Sequence, residues 1–210
     1  MSPAGYDYWL FDFDGTLVDV EWPYIRRVFD AVGDELDHTF TDAEAARIWH
    51  GYDGHRDGQI RATGVERDAF WAAFDAVETP AERARETYLH DDAAVVGELD
   101  GPVGIVTHSQ PPLLEAVLDR LDIRDWFDVV VSCSDELGWK PDPAPVERAR
   151  ARLPVNGVHE GVLVGDNPHD VGAAWNAGLD AVHVERHGHD RRGLCVLGDH
   201  RVESLASLGG

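Results

Sequence analysis

Five short runs of apolar, β-branched and aromatic residues, each leading into a polar turn, constrain this chain more than any other feature. They lie at residues 8–13, 102–106, 128–131, 162–164 and 181–184, and helical stretches at about 112–121, 143–153 and 171–177 separate the last four. Parallel strands need a crossover between them, so strands alternating with helices predict an α/β fold of three layers, a Rossmann-like parallel sheet covered on both faces. In such sheets ligands sit beyond the carboxyl ends of the strands. The residues that follow the runs are therefore the candidates: Asp12, Asp14, Thr107, the segment 132–134, Asp166 and Asp170.

Between the first run and the second the pattern changes. Ile25, Val28, Phe29 and Val32 recur at helical spacing, as do Phe70, Phe74 and Val77, and Thr41 with Glu44 has the form of a capping box. No strand-like alternation interrupts this block. The expected organisation is a catalytic core of residues 1–18 and 92–210 with an inserted α-helical domain at 19–91. Internal repeats, low-complexity linkers and a Walker-type glycine loop are absent from the sequence. Gly161 and Gly165 flank a strand instead of opening a helix, which disfavours a dinucleotide site.

Charge narrows the partners. Asp and Glu number 40 against 18 Lys and Arg, a formal net charge of −22. That field repels nucleic-acid phosphates and anionic membrane surfaces. Lys140 is the single lysine, every other basic side chain being arginine, and an acidic, lysine-poor surface suits concentrated salt, where charges are screened within about 3 Å at 1 M. Two cysteines make no disulfide framework, no basic-then-apolar leader opens the sequence, and no uncharged apolar run approaches the ~18 residues that would span a bilayer. The expectation is a cytoplasmic protein without a membrane partner.

The strand-end residues fall into four ordered motifs. They are Asp12-Phe13-Asp14-Gly15-Thr16, then Thr107 closing Gly104-Ile105-Val106-Thr107, then Lys140 in Gly138-Trp139-Lys140-Pro141, then Gly165-Asp166-Asn167-Pro168-His169-Asp170. In order and in kind this set resembles the haloacid dehalogenase-like hydrolases over residues 6–184. The position of the helical block, between Asp14 and Thr107, resembles the phosphoglycolate phosphatase-like branch with a helical cap. The stretch from Thr107 to Lys140 has room only for one helix and one strand.

The chemistry implied is hydrolysis of a small phosphomonoester. A phosphate dianion repels a carboxylate nucleophile, so a Mg²⁺ is expected, and the hard oxygens of Asp12 and Asp166 suit it; the resemblance adds the backbone carbonyl of Asp14. Asp12 would attack phosphorus to give an aspartyl phosphate. Asp14 would protonate the leaving alkoxide and later deprotonate water, which requires carboxylate neighbours to raise its pKa. Thr107, with His108 beside it, and Lys140 would hold the phosphoryl oxygens. Asp170 would orient a metal-bound water or the Lys140 ammonium, although Asp166 and Asp170 also suit the N-cap and first turn of the following helix.

Tyr52, His55 and Arg56, in the inserted block, are candidates for the substrate's leaving group. His187, His189, Cys195 and His200 include zinc-ligand types, but their spacing fits no standard site and predicts a solvated loop. Asp14 separates the chain from metal-independent dehalogenases, which lack the second aspartate of the first motif. A sugar phosphomutase of the same build is weakened by the lack of a lysine in the block, and a catalytically idle phospho-ligand or protein-binding domain by the presence of both Asp12 and Asp14.

Overall fold

The computed structural model describes residues 5–52, 55–155, 160–188 and 195–209. The first run forms β1 (Tyr8–Phe11), shorter than the apolar pattern because Phe13 leaves the sheet: its carbonyl accepts the Leu17 amide at 2.9 Å and closes a tight turn. β2 (Val18–Val20) follows, then α1 (Trp22–Leu36), α2 (Asp42–His50), α3 (Arg56–Ala62), α4 (Arg67–Val77), α5 (Pro80–Glu86) and β3 (Thr87–Leu89). β2 pairs antiparallel with β3. This ribbon corrects the expectation of an uninterrupted helical block; strands of three residues are too short to show alternation.

The remaining elements alternate as expected: β4 (Val103–Thr107), α6 (Pro111–Leu121), β5 (Val129–Ser132), α7 (Ala144–Arg152), β6 (Gly161–Gly165), α8 (Pro168–Asn176), β7 (Asp180–Val184) and β8 (His200–Val202). The sheet order is β5-β4-β1-β6-β7-β8, every pair parallel. The order reverses at β1, so the crevice above the β1 end lies between strands that lead away in opposite directions. β8 corrects the solvated-loop reading of the tail, since His200 stands on a strand and Val202 is buried. Cys195 is exposed, and His189 lies outside the described residues.

Side-chain alternation along β1 separates two cores. Trp9 and Phe11 pack with Ile105, Val164, Leu114 and Leu118 on the α6 face, while Tyr8 and Leu10 pack with Val131, Leu163, Val146 and Ala173 on the α7 and α8 face. A third cluster, built on Phe29, Phe40, Ile48, Ile60 and Phe70, belongs to α1–α4, whereas Ala84 of α5 joins the core of the sheet. No helix among the described residues is long and apolar enough to cross a membrane.

Arg186, after β7, ties the two ends of the excursion to the sheet. It donates to both Asp92 oxygens at 2.8 and 3.0 Å and to the Thr16 carbonyl at 2.8 Å, and Asp92 also accepts from the Ser204 hydroxyl and the Leu205 amide. Burial opposes the Asp92 charge, but these donors prevail and hold its carboxyl down at about 2. A depressed carboxyl stabilises the fold above its unfolded value near 4 and loses that contribution as pH falls through 2. Asp92→Asn is therefore expected to cost about 2 kcal/mol near pH 7, a Tm lower by roughly 4–8 °C, with the gap from the parent closing between pH 4 and pH 2 in thermal melts.

Candidate active site

The first, second and fourth motifs end adjacent strands, which brings their side chains together without help from the helices. Asp12 leaves β1, with its amide bonded to the Val164 carbonyl at 2.9 Å, and Asp166 follows β6. Gly15 (φ +81°) makes the closest approach possible: a Cβ there would stand 2.9 Å from Asp166 Oδ1. The Thr16 hydroxyl completes the junction, donating to Asp166 Oδ1 at 3.1 Å and accepting the Asp166 amide at 3.0 Å.

Lys140 is buried beneath these carboxylates. Its Nζ donates to Asp12 Oδ1 at 2.7 Å and to the Val106 carbonyl oxygen at 2.8 Å, and lies 2.7 Å from Asp170 Oδ1 as an ion pair, so three oxygens surround the ammonium. Asp170 has a second task. Asn167, not Asp166, is the N-cap of α8, and Asp170 Oδ2 accepts the Asn167 amide at 3.0 Å to close a capping box. A Cβ at Gly165 would stand 2.3 Å from the Asp170 carboxyl, so only glycine lets that side chain lie over the end of β6.

Burial and the Asp170 charge push the Asp12 carboxyl up to about 7 against the pull of Lys140. Burial disfavours the ammonium, but the two carboxylates overcome it and raise the lysine above its ordinary value. Asp12, Asp166 and Asp170 bring one ligand oxygen each within 4.8 Å of one another, all buried. Three carboxylates against one ammonium leave two negative charges in a dry setting, and a divalent hard cation matches both that deficit and the all-oxygen donor set. The residues present thus fit a Mg²⁺.

Asp14 sits differently from the expectation. Its neighbours are donors: Arg83 Nη2 bonds Oδ1, and the Ser109 hydroxyl bonds Oδ2 at 2.5 Å. Arg83 comes from α5, is buried, pairs also with Glu78 at 3.2 Å and lies 4.9 Å over the Trp49 ring. Thr107 is buried at the end of β4 with its hydroxyl accepting the Ser109 amide at 3.0 Å, so it shapes the loop that carries Ser109. Neither neighbour is marked in the sequence, although Ser109 follows Thr107 by two residues at a strand end.

The block residues are distributed over the strand ends. Arg56 opens α3 in the field of Asp14, Asp12 and Asp166, donates to the Trp49 carbonyl at 2.8 Å, and is lowered by burial. His55 lies 4.7 Å from His169, and Tyr52 is buried with its hydroxyl 3.1 Å from His187 Nδ1. Burial and the cations Lys140 and Arg56 hold His108 neutral, its ring edge-on to Trp139. His187 is half-buried against the site, Nε2 3.6 Å from Asp166 Oδ2, another departure from the solvated-tail expectation.

Known proteins resemble this chain in sequence and in fold. The sequence is 28% identical over 191 residues to the phosphoglycolate phosphatase of Yersinia pseudotuberculosis, covering 82% of this chain and 78% of that one. It is 31% identical over 192 residues to the pyrophosphatase PpaX of Bacillus velezensis, covering 83% and 81%. The crystal structure of CbbY from Rhodobacter sphaeroides in complex with phosphate superposes with a TM-score of 0.73 at 24% identity, over 98% of this chain and 97% of that one. The description "haloacid dehalogenase-like hydrolase" fits residues 6–178, from before β1 to the end of α8. On that match, the chain belongs to the haloacid dehalogenase-like hydrolases.

Proposed function

We propose that this hydrolase is a phosphatase that cleaves a small phosphomonoester of the phosphoglycolate class through an aspartyl phosphate on Asp12. The observation that carries the reading is the buried assembly of Asp12, Lys140 and Asp170 beside Asp166, with Asp14 on the next turn of chain. The name of the phosphoglycolate phosphatase relative supports the substrate class, and that of the pyrophosphatase relative supports hydrolysis at phosphorus. Asp12, Asp166 and the Asp14 carbonyl would hold a Mg²⁺, which when bound offsets the charge of carboxylate and phosphate and lets them approach.

Asp12 attacks phosphorus, the bond to the alkoxide breaks, and the alkoxide takes a proton from Asp14, which must first gain it from solvent because its carboxylate is paired with Arg83. As Asp12 forms its acyl phosphate it gives up its negative charge to the phosphoryl group, and the Lys140 ammonium, held beside it in advance, is available to those oxygens. In the second step Asp14 takes a proton from water, and the resulting hydroxide attacks phosphorus and releases Asp12 and phosphate. Both Asp14 oxygens accept hydrogen bonds from Arg83 and Ser109, the pattern of the base that this second step requires. Thr107 and the loop amides after it bind phosphoryl oxygens.

We read the α1–α4 cluster as a cap domain, with Tyr52, His55 and Arg56 facing the leaving group, His108 beside Thr107 on the sheet side, and water excluded between cap and sheet. The acidic, lysine-poor composition supports a protein adapted to salt.

A panel of phosphomonoesters assayed with and without Mg²⁺ tests the reading; hydrolysis of at least one, dependent on Mg²⁺, is expected, and inertness toward all of them would overturn it. Asp14→Asn is expected to slow an alkyl phosphate about 10²–10⁴-fold and an aryl phosphate much less, because only the poor leaving group needs the proton. Equal losses in kcat on both would confine Asp14 to positioning.

A further inference from the structure

Three metal-ligand side chains outside the carboxylate site meet where the helical block joins the sheet. Asp19 on β2, His50 at the last residue of α2 and His187 after β7 each bring one ligand atom within 4.8 Å of the other two, and all three are half-buried. The His50 and His187 rings lie 4.6 Å apart at 49°. Tyr52 stacks on His50 at 5.0 Å and bonds His187 Nδ1 at 3.1 Å, so a single phenol orients both imidazoles and leaves Nε2 of His187 as the coordinating nitrogen.

Two imidazoles and a carboxylate are not a magnesium donor set. Borderline-soft ions such as Zn²⁺ and Co²⁺ take imidazole nitrogen with aspartate oxygen, commonly three protein ligands with one position left to water. Ligand atoms around a tetrahedral zinc, at bond lengths of about 2.0–2.1 Å, stand about 3.4 Å apart, so the observed spread closes with side-chain movements of about 1 Å. We propose that Asp19, His50 and His187 form a binding site for a divalent transition metal of the Zn²⁺ class. Its ligands come from the ribbon, the helical block and the sheet, so the bound ion fastens the block onto the strand ends. The site neighbours the carboxylates through His187 Nε2, 3.6 Å from Asp166 Oδ2, but shares no ligand with Asp12 or Asp170.

The test is a titration of Co²⁺ into the full chain with excess Mg²⁺ present, read by visible absorption and by thermal melting. One equivalent is expected to give the bands of a low-coordinate nitrogen-ligated Co²⁺ and, at a hundredfold excess over Kd, a Tm higher by roughly 5–10 °C. His50→Ala and His187→Ala are each expected to weaken Co²⁺ at least about tenfold, and Asp12→Asn to leave both signals in place. His50, at a helix end, keeps the test decisive if His187→Ala fails to fold. Absence of saturable Co²⁺ binding, indifference to His50→Ala, or loss on Asp12→Asn would overturn the proposal, the last by assigning the ion to the carboxylates.

Discussion

Asp12→Asn is expected to reduce turnover of any substrate about 10⁴-fold or more, as removal of a nucleophile does. The substitution is isosteric at a buried position, so the fold survives: Lys140 keeps Asp170 and the Val106 carbonyl, and an amide oxygen at residue 12 can still accept from it. The intact mass of the parent enzyme, quenched in acid during turnover, should include a phosphoryl adduct that the variant lacks. Turnover within tenfold of the parent would remove Asp12 from the role.

Lys140→Met is expected to damage stability as well as catalysis. The ammonium is 3% exposed and lies 2.7 Å from both Asp12 and Asp170, so its removal leaves two buried carboxylates facing each other without a cation. Breaking a buried pair in this way costs about 3–5 kcal/mol, a loss of roughly 6–20 °C in Tm for a chain of this size. On the proposed mechanism activity should fall at least about 10²-fold, because the charge assigned to the phosphoryl oxygens has gone. A variant that melts like the parent would mean that the carboxylates find another cation, and Arg56, already in the field of Asp12, is the one at hand.

The carboxylates were legible in the sequence because a parallel strand fixes where its last residue goes. An apolar run followed by a polar turn places the residues at that junction at the carboxyl edge, and three such runs place Asp12, Asp14, Thr107 and Asp166 within one crevice whatever the helices do. Lys140 stood out through composition, being a lone lysine. Arg83 had no such mark. Arg83 and Arg85 sit two residues apart in the same arginine- and glutamate-rich helix, yet the first is buried against Asp14 and the second is exposed, since positions two apart face roughly opposite sides of a helix. Which side turns inward depends on how α5 docks on α6. The ribbon and β8 escaped for a simpler reason, three residues being too few to show a period.

The surroundings of Lys140 also make it a reporter. Amine reagents attack only the neutral, accessible form of a lysine, and this one is enclosed by three oxygens and favoured in its charged form. In the folded protein its acylation can proceed only through openings that lift the third motif away from β1 and β4. The rate at which label accumulates at residue 140, set against the rate for a denatured sample, therefore gives the free energy of opening at the carboxylate cluster itself. Because no other lysine competes for the reagent, a single mass shift in one peptide reads it out.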